Sequence, residues 1–194
     1  MISGLQRDRA AGRSVLRSGK DGGLRVLIPR EELQARVDEL AGQITADYRE
    51  KCPILVCVLK GAIFFMADLA RRLSFELEME FMAVSSYGQS TESSGVVRIL
   101  KDLDTDIDGR HIIIVEDIID SGLTLQYLTN NLASRGPASL EIVTLLSKPT
   151  RRVAELDCRY TGFEIENEFV VGYGLDYAEQ HRNLPFIGII DEAG

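Results

Sequence analysis

Ile112-Ile113-Ile114-Val115-Glu116-Asp117-Ile118-Ile119-Asp120-Ser121-Gly122-Leu123-Thr124-Leu125 is the stretch that decides the fold. Its apolar, β-branched opening reads as a strand buried on both faces, the signature of a parallel sheet. Two adjacent carboxylates, Glu116 and Asp117, are expected where that strand ends. A short loop follows, and Leu125, Leu128 and Leu132 then repeat at helical spacing. Open α/β sheets take ligands at the carboxyl ends of their strands. A loop of small residues opening a helix offers free N–H groups and a positive dipole end to a phosphate. Carboxylates beside it suit sugar hydroxyls or a divalent cation, so one segment can hold a phosphate and a ribose together.

Working outward, Pro53 to Leu59 reads as a second buried strand, Ala62 to Leu73 as a helix, and Leu77 to Ser85 as a third strand. Glu31 to Lys51 places Leu33, Val37, Leu40, Ile44 and Tyr48 on one helical stripe, with Pro29 at its start. Ser86 to Gly95 carries small and polar residues without periodicity and is expected to be a long mobile loop. Val97 to Leu100 is expected to return as a hairpin edge. Leu140 to Leu146 reads as a further strand. Phe163 to Ile165, Phe169 to Val171 and Phe186 to Ile190 are short extended pieces. Alternating strands and helices imply right-handed crossovers and an α/β, mostly parallel sheet flanked by helices.

The composition excludes several function classes. The chain has 194 residues, enough for one domain with a sizeable core, and a net charge of −8. That charge disfavours general nucleic-acid binding, which needs a basic footprint. No apolar run approaches the roughly 20 residues that span a bilayer, so no membrane partner is expected. Cys52, Cys57 and Cys158 lack paired metal-ligand spacing, and Cys57 reads as a small core residue. An odd cysteine count without an apolar signal segment favours a reducing cytoplasm. His111 and His181 are the only histidines, which argues against a histidine metal site or triad. His111 reads as structural; His181 lies near candidate ligand groups. The first 21 residues carry +3, leaving −11 for the remainder. Residues 1–22 are expected to form a flexible extension and residues 23–194 a single domain.

The signature segment resembles the PRPP-binding motif of type I phosphoribosyltransferases, in the version found in bacterial hypoxanthine-guanine phosphoribosyltransferases. The resemblance runs from about Val26 to Ile190. It includes Val58-Leu59-Lys60-Gly61, Ser85-Ser86-Tyr87-Gly88, Leu146-Ser147-Lys148-Pro149 and the run from Phe169 to Tyr177. It implies the type I phosphoribosyltransferase fold: a core of parallel strands plus a small hood subdomain built from both chain ends. It also implies transfer of 5-phosphoribose from PRPP to hypoxanthine or guanine, giving IMP or GMP and pyrophosphate, with Mg²⁺ as cofactor. Xanthine as a major substrate is a close rival reading. The resemblance further implies a homodimer or homotetramer.

The roles implied are carried over residue by residue. Glu116 and Asp117 would lie under the ribose and near the metal shell. Ile118, Ile119, Asp120, Ser121, Gly122, Leu123 and Thr124 would complete the PRPP and nucleotide site, with Ser121, Gly122 and Thr124 cradling the 5′-phosphate. Some relatives, including mammalian ones, carry Lys where this chain has Leu123, which fits the bacterial subgroup and leaves the phosphate without that charge. Asp120 would accept a proton near purine N7, and as an Asp before a helix it also reads as an N-cap. Lys60-Gly61 would meet pyrophosphate through a non-proline cis bond, joined by Arg182. Lys148 would donate to purine O6, Phe169 would stack on the base, and Val170 would meet its Watson–Crick edge. Asp176 would serve a second Mg²⁺ beside the purine. Ser86 and Tyr87 would close over PRPP as a lid. A non-enzymatic nucleotide-binding regulator on the same fold is the rival from another class. The acidic balance and the set Asp120, Lys148 and Asp176 argue against it.

Overall fold

The computed structural model describes residues 5–7, 14–16, 23–86 and 97–190. Chain contacts divide it into two compact units, residues 1–36 with 168–194, and residues 37–167.

The larger unit holds a six-stranded sheet. Its strands are β4 (Ile54–Leu59), β5 (Glu78–Ser86), β6 (Val97–Lys101), β7 (His111–Ile119), β8 (Ser139–Ser147) and β9 (Tyr160–Glu164). They lie in the order β6-β5-β4-β7-β8-β9. All neighbours are parallel except β5 and β6, which form the expected antiparallel edge. Helix α2 (Ile63–Ala70) connects β4 to β5, and α3 (Leu123–Ala133) connects β7 to β8. These are the crossovers that parallel neighbours require. Ile112, Ile113, Ile114 and Val115 of β7 are fully buried. One set of alternate residues, with Ile112 and Ile114 beside Ile54 and Val56, joins Leu125, Leu128 and Leu132 of α3 in a single core cluster.

Helix α1 (Arg30–Tyr48) buries the stripe Leu33, Val37, Leu40, Ile44 and Tyr48. The division between the two units falls within this helix, after Arg36. Helix α2 is shorter than its sequence pattern suggests. Arg72 N–H donates to Leu69 O and Leu73 N–H to Ala70 O, so the last turn tightens into 3₁₀ geometry and the α-helix stops at Ala70. At the amino-terminal ends of β7 and β8, His111 Nδ1 lies 2.8 Å from Ser139 Oγ. Its ring meets Tyr48 edge-on at 6.2 Å. His111 is thus the structural residue expected of it.

The smaller unit is an antiparallel sheet in the order β1-β2-β3-β11-β10. Its strands are β1 (Leu5–Arg7), β2 (Ser14–Leu16), β3 (Leu24–Ile28), β10 (Val170–Val171) and β11 (Ile187–Ile190). Both chain ends contribute. The described residues before Gly23 are β1 and β2, which pair with each other, and β2 continues onto β3. The rest of that segment lies outside the described residues, as does Tyr87. Among the described residues no helix is long and apolar enough to cross a membrane.

Strand β3 meets β11 through four register pairs and β2 through only two, Val15 with Arg25 and Leu16 with Leu24. Deleting residues 1–22 is therefore expected to leave the remaining chain folded, with Tm lowered by no more than about 2–4 °C, the cost of about 1 kcal/mol in a chain of this size. Calorimetry of full-length and truncated protein measures this directly, and a larger fall would make the β1–β2 hairpin an integral part of the sheet.

Candidate active site

Two carboxylates, Glu116 and Asp117, stand inside β7, at its sixth and seventh residues, not after it. The reason is register. Pairing with β4 ends at Cys57 and Val115, whereas pairing with β8 continues through Glu116–Thr144, Ile118–Leu146 and Ile119–Ser147. Beyond Val115 the chain keeps strand geometry on one side only. The turn after β4 takes up the vacated side. A Cβ on Gly61 would fall 1.5 Å from Asp117 Oδ2, so a side chain there would displace that carboxylate. Asp117 Oδ1 in turn accepts from Ile118 N–H at 2.8 Å. The cis peptide lies at Leu59–Lys60, one bond earlier than the Lys60–Gly61 dipeptide at which the resemblance implies it.

Glu116 stands beside Asp117, one residue before it in β7. Its Oε2 is buried without a hydrogen-bond partner among the described residues. Burial, and then the neighbouring Asp117 charge, hold its carboxyl well above the usual carboxylate range. The Cys57 thiol is pushed up to about 12 by burial first and by Glu116 and Asp117 second. It is therefore an inert core thiol, as its strand position suggests. Among the described residues no three His, Cys, Asp or Glu side chains form a metal cage. Glu116 and Asp117 alone suit a hard cation that brings most of its oxygen shell from substrate and water.

The loop after β7 is held by main-chain bonds from the segment after β8. Lys148 N–H donates to Ile119 O at 2.9 Å, and Ser121 O accepts from both Val153 and Ala154 N–H at 3.0 Å. Gly122 is the N-cap of α3, with φ 80°. Any Cβ there would also press on Leu156 Cδ1 at 2.9 Å. Asp120 is therefore not the cap, because a left-handed glycine two residues later starts the helix. Ser121 Oγ accepts from Leu123 N–H at a long 3.5 Å. The N–H groups of the first turn of α3, from Leu123 and Thr124 onward, lack intrahelical acceptors and face the loop end with the positive pole of the helix.

With the cap role removed, the Asp120 carboxylate lies between two cations. Arg151 Nε donates to Oδ1 at 3.0 Å. Lys148 Nζ stands 3.9 Å from Oδ2. Lys148 is 7% exposed, an unusual burial for a lysine at a strand end. The expected groups of this unit therefore meet at neighbouring strand ends: Lys60, Gly61, Glu116 and Asp117 at β4 and β7, and Asp120 with Lys148 at β7 and β8. Arg151 was missed by the sequence reading. Its only signal was a basic pair, Arg151-Arg152, directly after Lys148-Pro149-Thr150.

The smaller unit carries the remaining candidates. Phe169 is 54% exposed and meets Tyr177 edge-to-face at 5.6 Å. Val170 is buried in β10 opposite Ile189. Asp176 Oδ1 lies 2.7 Å from Arg182 Nη2, and its Oδ2 accepts from Glu179 N–H at 2.8 Å. Arg182 Nη1 donates to Gly174 O at 2.8 Å, while its Nε is buried without a hydrogen-bond partner among the described residues. Asp176 and Arg182, read separately as metal and pyrophosphate groups, are here ion-paired to each other. His181 sits in the same loop at φ 73°. Ser86 is the last residue of β5; Tyr87, the other lid residue, lies outside the described residues.

The chain matches the phosphoribosyl transferase domain family over residues 29–178. It is 54% identical over 169 residues to the hypoxanthine-guanine phosphoribosyltransferase of Bacillus subtilis (strain 168), covering 87% of this chain and 94% of that protein. It is 56% identical over 172 residues to the enzyme of the same name from Mycobacterium tuberculosis (strain H37Rv), covering 86% and 85%. Among solved structures, a hypoxanthine phosphoribosyltransferase from Staphylococcus aureus superposes with a TM-score of 0.83 at 49% identity, covering 86% of this chain and 90% of that one.

The buried, unpartnered Oε2 of Glu116 yields a stability prediction. A raised carboxyl retains its proton in the folded state while the unfolded chain loses it, so folding stability falls as pH rises above the ordinary value of 4.5. In metal-free buffer at pH 7, Glu116→Gln is expected to stabilise the protein by about 1–3 kcal/mol, the cost of a buried group without a partner. The difference should vanish as pH falls through 4.5. Urea unfolding of both proteins across that range checks it.

Proposed function

The chain belongs to the phosphoribosyltransferase family, among its hypoxanthine-guanine members, and from that premise we propose that Asp120 and Lys148 read and deprotonate a 6-oxopurine during phosphoribosyl transfer. The family activity is PRPP-dependent phosphoribosylation of a purine in purine salvage. In it, purine N9 forms a bond to ribose C1′ as the C1′–pyrophosphate bond breaks, and the purine gives up a proton. The observation that carries the reading is the 3.9 Å separation of Lys148 Nζ and Asp120 Oδ2. N7 and O6 are adjacent on one edge of a 6-oxopurine, so a single base can present N7–H to the carboxylate and O6 to the ammonium. Lys148 has only donors, and adenine would place an amino group against it. Hypoxanthine and guanine fit this pair; xanthine carries the same edge and is a second candidate.

The remaining candidates take up the rest of PRPP. Glu116 and Asp117 would orient the ribose hydroxyls and tolerate the positive charge that develops on the ring. The loop 120–124, with the first N–H groups of α3, would hold the 5′-phosphate. Mg²⁺ fits the same place, because Glu116 presents a buried oxygen without a partner beside a second carboxylate. Glu116 and Asp117 would hold it, and it supplies charge compensation to the departing pyrophosphate. Lys60 and Gly61 would meet that pyrophosphate. Phe169 offers an exposed ring for stacking, held by Tyr177. Val170 would supply backbone groups to the base, and Asp176 would serve a second cation.

Three measurements test these assignments. With PRPP saturating and Mg²⁺ present, hypoxanthine and guanine are expected to be substrates and adenine to be rejected. Lys148→Gln should lower kcat/KM for both oxopurines and narrow the gap to adenine, since Gln can donate or accept; unaltered oxopurine kinetics would remove Lys148 from the pocket. Asp120→Asn should retain PRPP binding and lose about 10²–10⁴ in turnover. Excess EDTA should abolish pyrophosphate release, and added Mg²⁺ or Mn²⁺ should restore it.

A further inference from the structure

We infer that Arg151 is a positioning residue that fixes the Asp120 carboxylate for proton transfer, an inference that rests on the role proposed for Asp120. Arg151 Nε donates to Oδ1 at 3.0 Å, on the oxygen away from Lys148. A carboxylate rotating about its last bond would otherwise exchange its two oxygens freely. With Oδ1 occupied, Oδ2 is the oxygen left beside Lys148, where the purine edge is read. Both groups that face Asp120, Lys148 and Arg151, come from the segment that follows β8.

The backbone makes Arg151 a fixed arm. Pro149–Arg151 is a single 3₁₀ turn with Pro at its start, and Arg151 N–H donates to Lys148 O at 3.0 Å. Two residues on, Val153 N–H bonds back to Ser121 O in the loop that carries Asp120. Arg151 is thus anchored on both sides to the structure it steadies, although its side chain is 50% exposed. An isolated exposed ion pair contributes little to stability. Its effect is geometric, because misplacing a reacting group by about 1 Å can cost about 10²-fold in rate.

The experiment is a kinetic double-mutant cycle of Arg151→Ala and Asp120→Asn, with PRPP and hypoxanthine varied separately. Arg151→Ala is expected to lower kcat by about 5- to 50-fold, between the effect of an exposed ion pair and that of full misplacement. KM for PRPP and the melting temperature should not change. Added guanidinium should restore part of the lost rate in Arg151→Ala only, and Arg151→Lys should retain more rate than Arg151→Ala. In the Asp120→Asn background, removing Arg151 should cost nothing further. Wild-type kcat in Arg151→Ala, or the same fall in both backgrounds, overturns the inference. A rise in kcat also overturns it, since Arg151 would then be withholding Asp120 from the purine. Wild-type turnover by Asp120→Asn alone would instead overturn the base assignment, so the two failures are distinguishable.

Discussion

The parallel pairing of β7 between β4 and β8 is the constraint on which the site depends. Four fully buried residues, Ile112 to Val115, lock the strand in register on both sides. A shift by one residue would turn Ile112 and Ile114 away from the core cluster they share with α3. The same register decides where β4 stops pairing. Because it stops at Val115, Glu116 and Asp117 emerge beside the Gly61 turn instead of beneath another strand. Position in the sheet thus becomes position in the site, with no separate device needed to bring the carboxylates there.

That placement opposes stability. A carboxylate oxygen buried without a partner, next to another carboxylate, is what an optimised core avoids. The surrounding structure tolerates it because the strand below is held by two neighbours and an apolar cluster. Charge is balanced elsewhere by internal pairing: Asp120 by Arg151 and Lys148, and Asp176 by Arg182. Glu116 is the exception, since Oε2 has no hydrogen-bond partner among the described residues. The divalent cation proposed for this spot would bring the positive charge it lacks.

Much of the fold was legible because burial leaves a periodic mark. The run at Ile112 and the stripe from Leu33 to Tyr48 each identify their elements, and each is buried as read. Boundaries were less legible, because they follow from hydrogen bonds that composition does not record. The 3₁₀ closure after Ala70 shortened α2, and continued pairing with β8 carried β7 past its acids. In the site, Lys148 and Asp120 could be named from their motifs, but their convergence could not. Gly122 as cap was hidden behind Asp120, a residue type that caps helices more often. Arg151 was illegible for a different reason. Its spacing of 31 residues from Asp120 becomes contact only through the parallel crossover.

The distance between Asp120 and Lys148 is governed less by these two side chains than by the main chain beneath them. Lys148 N–H bonds to Ile119 O, the residue before Asp120, and Ser121 O receives two N–H groups from the segment after Lys148. The strand ends are therefore tied together on either side of the pair. Sheet pairing brings β8 alongside β7, the 2.9 Å bond sets how the two exits meet, and the side chains need only extend from fixed roots. Base recognition of the proposed kind, built on these two residues, would not rely on this loop finding its conformation when the purine binds. On the proposed roles, a proton acceptor and a hydrogen-bond donor would be held at one spacing before substrate arrives, which is the condition under which hydrogen bonds favour a reaction instead of merely a complex.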